Sequence, residues 1–123
     1  MFKVQKKKEL NENGKLIDKI MLYKNAEVRT IKLSDKKDCL LELLYFKNSP
    51  KIKKNKIKPY SLGFTHISIT VKDIYKIYNF LKKKKIKFNS KPMKSSDGNV
   101  LMTYCKTPEG AYLEIVQELK NDI

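Results

Sequence analysis

At 123 residues, with 41% hydrophobic and 33% charged side chains, the chain is long enough to bury one modest core without covalent staples. Cys39 and Cys105 lie far apart and outside any CxxC pair, which excludes a disulfide framework and a zinc ribbon; both are expected as reduced, half-buried strand thiols. The net charge of +15 is carried almost wholly by lysine, and Arg29 is the only arginine, so forked guanidinium recognition of phosphate or guanine is disfavoured.

No apolar run reaches the length of a bilayer span, and the opening Met-Phe-Lys-Val-Gln-Lys-Lys-Lys has no signal-peptide core. A soluble, cytoplasmic protein without a membrane partner is the expectation. Abundant Lys, Asn and Ile fit an AT-rich genome, and the positive charge favours small anionic molecules by steering them toward a cleft.

In chain order, Phe2–Leu10 reads as a strand, and Asn11–Leu22 as a loop with one or two helical turns. Val28–Leu44 (VRTIKLSDKKDCLLELL) is an alternating strand, a polar turn at Ser34–Asp38 and a second strand. Lys47–Pro59 (KNSPKIKKNKIKP) is a basic connector bracketed by prolines. Phe64–Val71 (FTHISITV) is a strand with His66, Ser68 and Thr70 on one face and Ile67, Ile69 and Val71 on the other.

Asp73 is placed to cap a helix whose apolar stripe is Ile74, Ile77, Tyr78 and Leu81, with Lys82–Lys85 complementing the dipole at its end. A strand is expected near Lys87–Lys91, then a loop around Ser95–Gly98. Val100–Val116 (VLMTYCKTPEGAYLEIV) closes the series as a strand pair around Thr107-Pro108-Glu109-Gly110, a composition suited to a type I turn.

The two strand pairs form an internal repeat without gaps at an offset of 72 residues, as from Glu42 to Glu114. Val28/Val100, Leu41/Leu113 and Glu42/Glu114 are identical, and each glutamate sits inside an apolar run. The second half reads β-α-β-β-β. If Phe2 corresponds to Phe88, the first half lacks the opening strand and helix of such a unit.

A carboxylate between Leu113 and Ile115 ordinarily belongs to the solvated side of a half-buried sheet, and a lone strand histidine is ordinarily a hydrogen-bonded structural residue. Two glutamates at equivalent repeat positions, and a histidine on the polar strand face that would join Glu114, also form a nitrogen–oxygen donor set for a divalent transition ion. The long spacing from His66 to Glu114 makes no local metal motif.

The stretch GFTHISITVKDIYKIYNFLKKKKIKFNSKP, followed by DGNVLMTYCKTPEGAYLEIVQ, resembles the second βαβββ module of the vicinal-oxygen-chelate superfamily. That superfamily includes glyoxalase I, methylmalonyl-CoA epimerase, extradiol dioxygenases, fosfomycin-modifying transferases and metal-free bleomycin-binding proteins. The resemblance implies an α+β, glyoxalase-like fold of paired βαβββ modules: residues 1–50 an incomplete first module, 51–60 a basic linker and 61–120 a complete second module. It departs from the family pattern at Thr107, where Asp usually precedes the proline, and at Lys85, where Gly often follows the helix.

By resemblance the metal ligands are Glu42, His66 and Glu114, holding Ni, Zn, Mn or Fe, with Glu42 and Glu114 as catalytic acid–base groups. The implied function is a metal-dependent lyase or isomerase acting beside a carbonyl of a small, anionic substrate, of the lactoylglutathione-lyase or epimerase kind. A single histidine disfavours the two-histidine iron site of ring-cleaving dioxygenases.

A non-catalytic small-molecule-binding member, or a catalytically impaired truncated one, is the second reading. Nonspecific nucleic-acid binding through the lysines is the third. A half-unit without its first strand and helix exposes a sheet edge, for which a second copy of the chain, making a homodimer, is the economical cover.

Overall fold

The computed structural model describes residues 4–36, 40–49 and 56–119. The chain divides into two compact units, Lys3–Lys53 and Lys54–Ile123. The first contains β1 (Gln5–Glu12), α1 (Lys15–Met21), β2 (Val28–Ser34) and β3 (Leu40–Phe46). Its strands form an antiparallel sheet in the order β1-β2-β3. The second contains β4 (His66–Thr70), α2 (Ile74–Lys83), β5 (Met93–Lys94), β6 (Val100–Lys106) and β7 (Tyr112–Glu118). Its sheet runs β4-β7-β6-β5, with β4 parallel to β7 and the other pairs antiparallel. The fold is α+β, and the second unit is a full βαβββ module.

The sequence repeat is also a repeat of register. In the first unit β2 and β3 pair from Val28↔Phe46 to Ser34↔Leu40; in the second, β6 and β7 pair from Val100↔Glu118 to Lys106↔Tyr112. Every cross-strand partner maps onto its counterpart by the same 72-residue offset, because the two turns have equal length. Gly110 N–H donates to Thr107 O at 3.0 Å, closing the second turn.

The core of the second unit follows from two periodicities meeting. Ile69 and Val71 of the β4 segment, Leu101 and Cys105 of β6, and Leu113 and Ile115 of β7 recur at every second position. Ile74, Ile77 and Leu81 recur along one stripe of α2 and pack onto them. Tyr78, expected in that stripe, stands edge-on to Phe88 with ring centroids 4.7 Å apart. Asp73 caps α2 by accepting from the Lys76 N–H at 3.0 Å, and Gln117 Oε1 accepts from the Ile74 N–H at 2.9 Å. Beyond the helix, Lys85 takes a left-handed φ of 61°, a conformation that glycine adopts without strain.

The first unit has a smaller core of Ile17, Ala26 and Val28, flanked by Met21, Tyr23 and Phe46. The Asp18 carboxylate fixes the return from α1 by accepting from the N–H groups of Asn25 and Ala26, both at 2.8 Å.

Some boundaries differ from those read in the sequence. Strand β1 extends through Asn11 and Glu12, and the one or two helical turns expected within Asn11–Leu22 are the seven-residue α1. The strand expected at Lys87–Lys91 is reduced to one bridge, Phe88↔Cys105, and regular pairing resumes at Met93–Lys94. Pro92 has no N–H to give the ladder, and Thr103 Oγ1 donates to Ser90 O at 2.7 Å, which diverts the intervening backbone. Cys105 is buried more deeply than expected, and burial pushes its thiol up, so it stays protonated and unreactive. Cys39 and residues 50–55 of the basic connector lie outside the described residues.

Candidate functional site

Ile69, Leu113 and Ile115 point toward α2, so the alternation of β4 and β7 sends His66 and Glu114 to the helix-free face of their sheet. The parallel register sets Ser68 beside Glu114, with His66 diagonally adjacent. His66 Nε2 lies 3.4 Å from Glu114 Oε2. Their side chains are 31% and 18% exposed, sheltered yet open to a small ligand.

Two neighbours shape this pair. Thr65 Oγ1 is 2.8 Å from His66 Nδ1, and Tyr104 Oη is 3.4 Å from Nε2 with the two rings edge-on, centroids 5.1 Å apart. When Nδ1 carries the proton it donates to Thr65, and the Nε2 lone pair is left facing Glu114 and Tyr104. That tautomer is the one a metal ligand requires.

Tyr104 lies directly across from Glu114 in the β6–β7 ladder, where the carboxylate's charge acts on its phenol. Burial pushes the phenol above the ordinary tyrosine range, and the negative charge of Glu114 pushes it further in the same direction. Tyr104 is therefore a neutral donor at physiological pH. Neutralising the carboxylate removes one of the upward influences, so Glu114→Gln is expected to let Tyr104 ionise at lower pH than in the wild type. The difference in absorbance at 295 nm between each protein and its Tyr104→Phe derivative isolates this residue from the other tyrosines. An unchanged Tyr104 titration would show that the phenol does not sense Glu114.

Beside His66, at the start of β4, an open cavity of about 360 Å³ is walled by Phe64, Thr65, Ile67, Tyr112 and Leu113 among others. The size suits the apolar part of a small molecule.

Glu42 has a different setting. It stands on β3 of the first unit, opposite Lys32, whose Nζ lies 3.0 Å from Glu42 Oε1. Lys32 and Tyr104 occupy equivalent repeat positions, so each repeat glutamate is met by its cross-strand neighbour, a cation in one half and a phenol in the other. The pair of His66 and Glu114 is brought together. Among the described residues, no group of three or more His, Cys, Asp or Glu side chains is gathered as a metal cage.

The sequence model of the Glyoxalase/Bleomycin resistance protein/Dioxygenase superfamily matches residues 3–115. The chain belongs to this superfamily. No curated protein matches it.

Among solved structures, a glyoxalase family protein from Bacillus cereus is similar with a TM-score of 0.83 at 18% identity, covering 95% of this chain and 79% of that one. Another, from Enterococcus faecalis, has a TM-score of 0.61 at 18% identity, covering 92% of this chain and 77% of that one. A glyoxalase I mutant from Zea mays has a TM-score of 0.63 at 18% identity, covering 95% of this chain but 37% of its own. At such identities the likeness is one of fold.

Within this glyoxalase-superfamily chain, Thr65 and Tyr104 are site neighbours that strand alternation alone does not single out. For Tyr104 a signal existed: pairing the strands about the Thr107–Gly110 turn sets it opposite Glu114. No helix among the described residues is long and apolar enough to cross a membrane.

Proposed function

We propose that this protein is a cytoplasmic, metal-assisted lyase or isomerase acting beside the carbonyl of a small, anionic substrate. The observation that carries the proposal is the His66–Glu114 pair, an imidazole nitrogen and a carboxylate oxygen 3.4 Å apart on the open sheet face. Two donors each about 2.1 Å from one ion lie roughly 3.0–3.4 Å apart in octahedral or tetrahedral coordination, so the pair fits a single divalent ion such as Ni, Zn, Mn or Fe. Glu42 is the third donor in this proposal.

A bound ion of this kind polarises a carbonyl and acidifies the neighbouring C–H. The chain's own residues supply the rest. Thr65 holds the His66 ring in the donor tautomer. Glu114, and Glu42 beside it in role, moves the proton as base and acid. Tyr104, kept protonated, donates a hydrogen bond toward negative charge that develops at the substrate oxygen. The apolar cavity next to His66 receives the substrate's non-polar part and keeps water from it, while the surplus of lysine attracts the anion.

Proton NMR in deuterium oxide tests this. Metal-free protein is reloaded with each candidate ion and incubated with small α-hydroxy and α-keto carboxylates. Loss of the signal of the C–H beside the carbonyl is expected to run at least about tenfold faster than with the same ion alone.

The ion pair of Glu42 with Lys32 favours a second reading, a non-catalytic small-molecule-binding member, because it engages the carboxylate elsewhere. Ligand binding without exchange, whether or not an ion is bound, would establish that reading instead.

A further inference from the structure

Helix α2 closes on its own backbone. Lys85 N–H donates to Lys82 O at 2.9 Å, and Ile86 N–H donates to Leu81 O at 3.1 Å, the two reverse bonds of a helix ending. The main chain therefore serves these terminal carbonyls, and the lysine side chains nearby are not needed for it. Lys85 makes this turn with a φ of 61°, which glycine would adopt without strain. A lysine held in that conformation points to a use for its charge.

The end of β6 is fastened alongside, because Lys106 N–H donates to Lys87 O at 3.0 Å. Here lies a cavity of about 380 Å³, lined by Lys84, Lys85, Lys87, Lys106, Thr107 and Pro108. Four ammonium groups surround it, and among the described residues no acidic side chain lines it. The ion pairs among those residues belong to Glu9, Glu42 and Glu114, so none of the four lysines has a carboxylate partner there.

Two of the ammonium groups are nonetheless held. Lys84 Nζ stands 5.7 Å from the centre of the Phe80 ring, and Lys106 Nζ 5.7 Å from that of Tyr112. A ring face positions a cation without neutralising it. Lys85 and Thr107, where the sequence departs from the superfamily pattern of Gly and Asp, meet at this cavity. Each departure leaves it one charge more positive.

We infer that this cavity binds the phosphate chain of a small ligand, at a site separate from the His66–Glu114 pair. The lysines repel one another in the empty site, and an anion of several charges relieves that repulsion. Lysine meets phosphate as a point charge, so four of them suit a chain of phosphates better than a single carboxylate. The helix end opposes an anion with only about half a negative charge. The volume fits a small ligand.

Isothermal titration of the metal-free full chain with inorganic tripolyphosphate tests this. Binding is expected at one site in the micromolar range, weakening as salt screens the charges. Lys85→Gly should weaken it roughly fivefold while unfolding at the same or higher urea concentration, because glycine relieves the left-handed turn. Lys106→Gln, from the strand side, should weaken it by a similar factor. Lys94→Gln removes the same charge at the opposite end of the β6 ladder and should leave binding unchanged. An affinity for ATP no tighter than for tripolyphosphate assigns the site to free polyphosphate, and a tighter one to a nucleotide. No binding of either anion at about 1 mM, or a loss with Lys94→Gln equal to that with Lys85→Gly, overturns the inference.

Discussion

His66→Ala is expected to weaken the binding of a divalent transition ion by more than about 100-fold, measured by isothermal titration of metal-free protein. In the proposed donor set the imidazole is the single nitrogen, and carboxylates alone hold such ions poorly at neutral pH. Glu114→Ala should cost a similar factor, because it removes the oxygen 3.4 Å from Nε2. Thr65→Val leaves every donor in place yet removes the partner of Nδ1; a smaller loss, on the order of 10-fold, is expected from the freed tautomer and ring orientation. Glu42→Ala separates the two functional readings. A clear loss of affinity makes it a ligand, and an unchanged affinity leaves it as the partner of Lys32. If His66→Ala binds the ion as tightly as the wild type, the metal proposal fails, although the fold and the superfamily stand.

The parts of this site that were legible in the sequence are those fixed by strand alternation and turn length. Alternation placed His66 with Ser68 and Thr70 and opposed it to Ile67 and Ile69, and β4 is built so. The ungapped repeat forecast equivalent hairpins, and the ladders of β2–β3 and β6–β7 share one register. Alternation alone did not single out Thr65, beside His66 in the chain, and although the turn sets Tyr104 opposite Glu114 it does not show that the phenol reaches His66. Tyr104 and Thr65 act through side-chain reach, which depends on rotamers and local twist as well as on spacing.

The strand near Phe88 failed for a related reason. Lys87–Lys91 alternates well enough to read as a strand, but Pro92 and the Thr103–Ser90 hydrogen bond interrupt pairing before it becomes regular. Helix α1 was legible as no more than one or two turns, without bounds, because Leu16 and Ile20 are exposed and of its apolar residues Ile17 alone is buried. A helix held by so little burial leaves a weak periodic signal.

Ile115→Ala is expected to lower unfolding free energy by about 2–5 kcal/mol, read from urea denaturation at constant slope. Ile115 sits on β7 between Ile69 of β4 and Thr103 of β6 and packs in the cluster with Val71, Ile74 and Cys105. Truncation there leaves a void on a sheet that α2 cannot close by moving, since the helix is tied down by Asp73 and by Gln117. Against a total stability of about 5–15 kcal/mol, that loss brings the unit near its limit.

The repeat supplies an internal control, because Leu43 is the counterpart of Ile115 by register and similar in size. Leu43→Ala should lower stability by only about 1 kcal/mol, since its side chain stays half-exposed in the folded chain. Equal costs at the two positions would mean that Leu43 is as buried in solution as Ile115, against its exposure on β3. A large cost at Ile115 together with a small one at Leu43 would show one repeat position in two settings, buried against α2 in the βαβββ unit and half-exposed on β3.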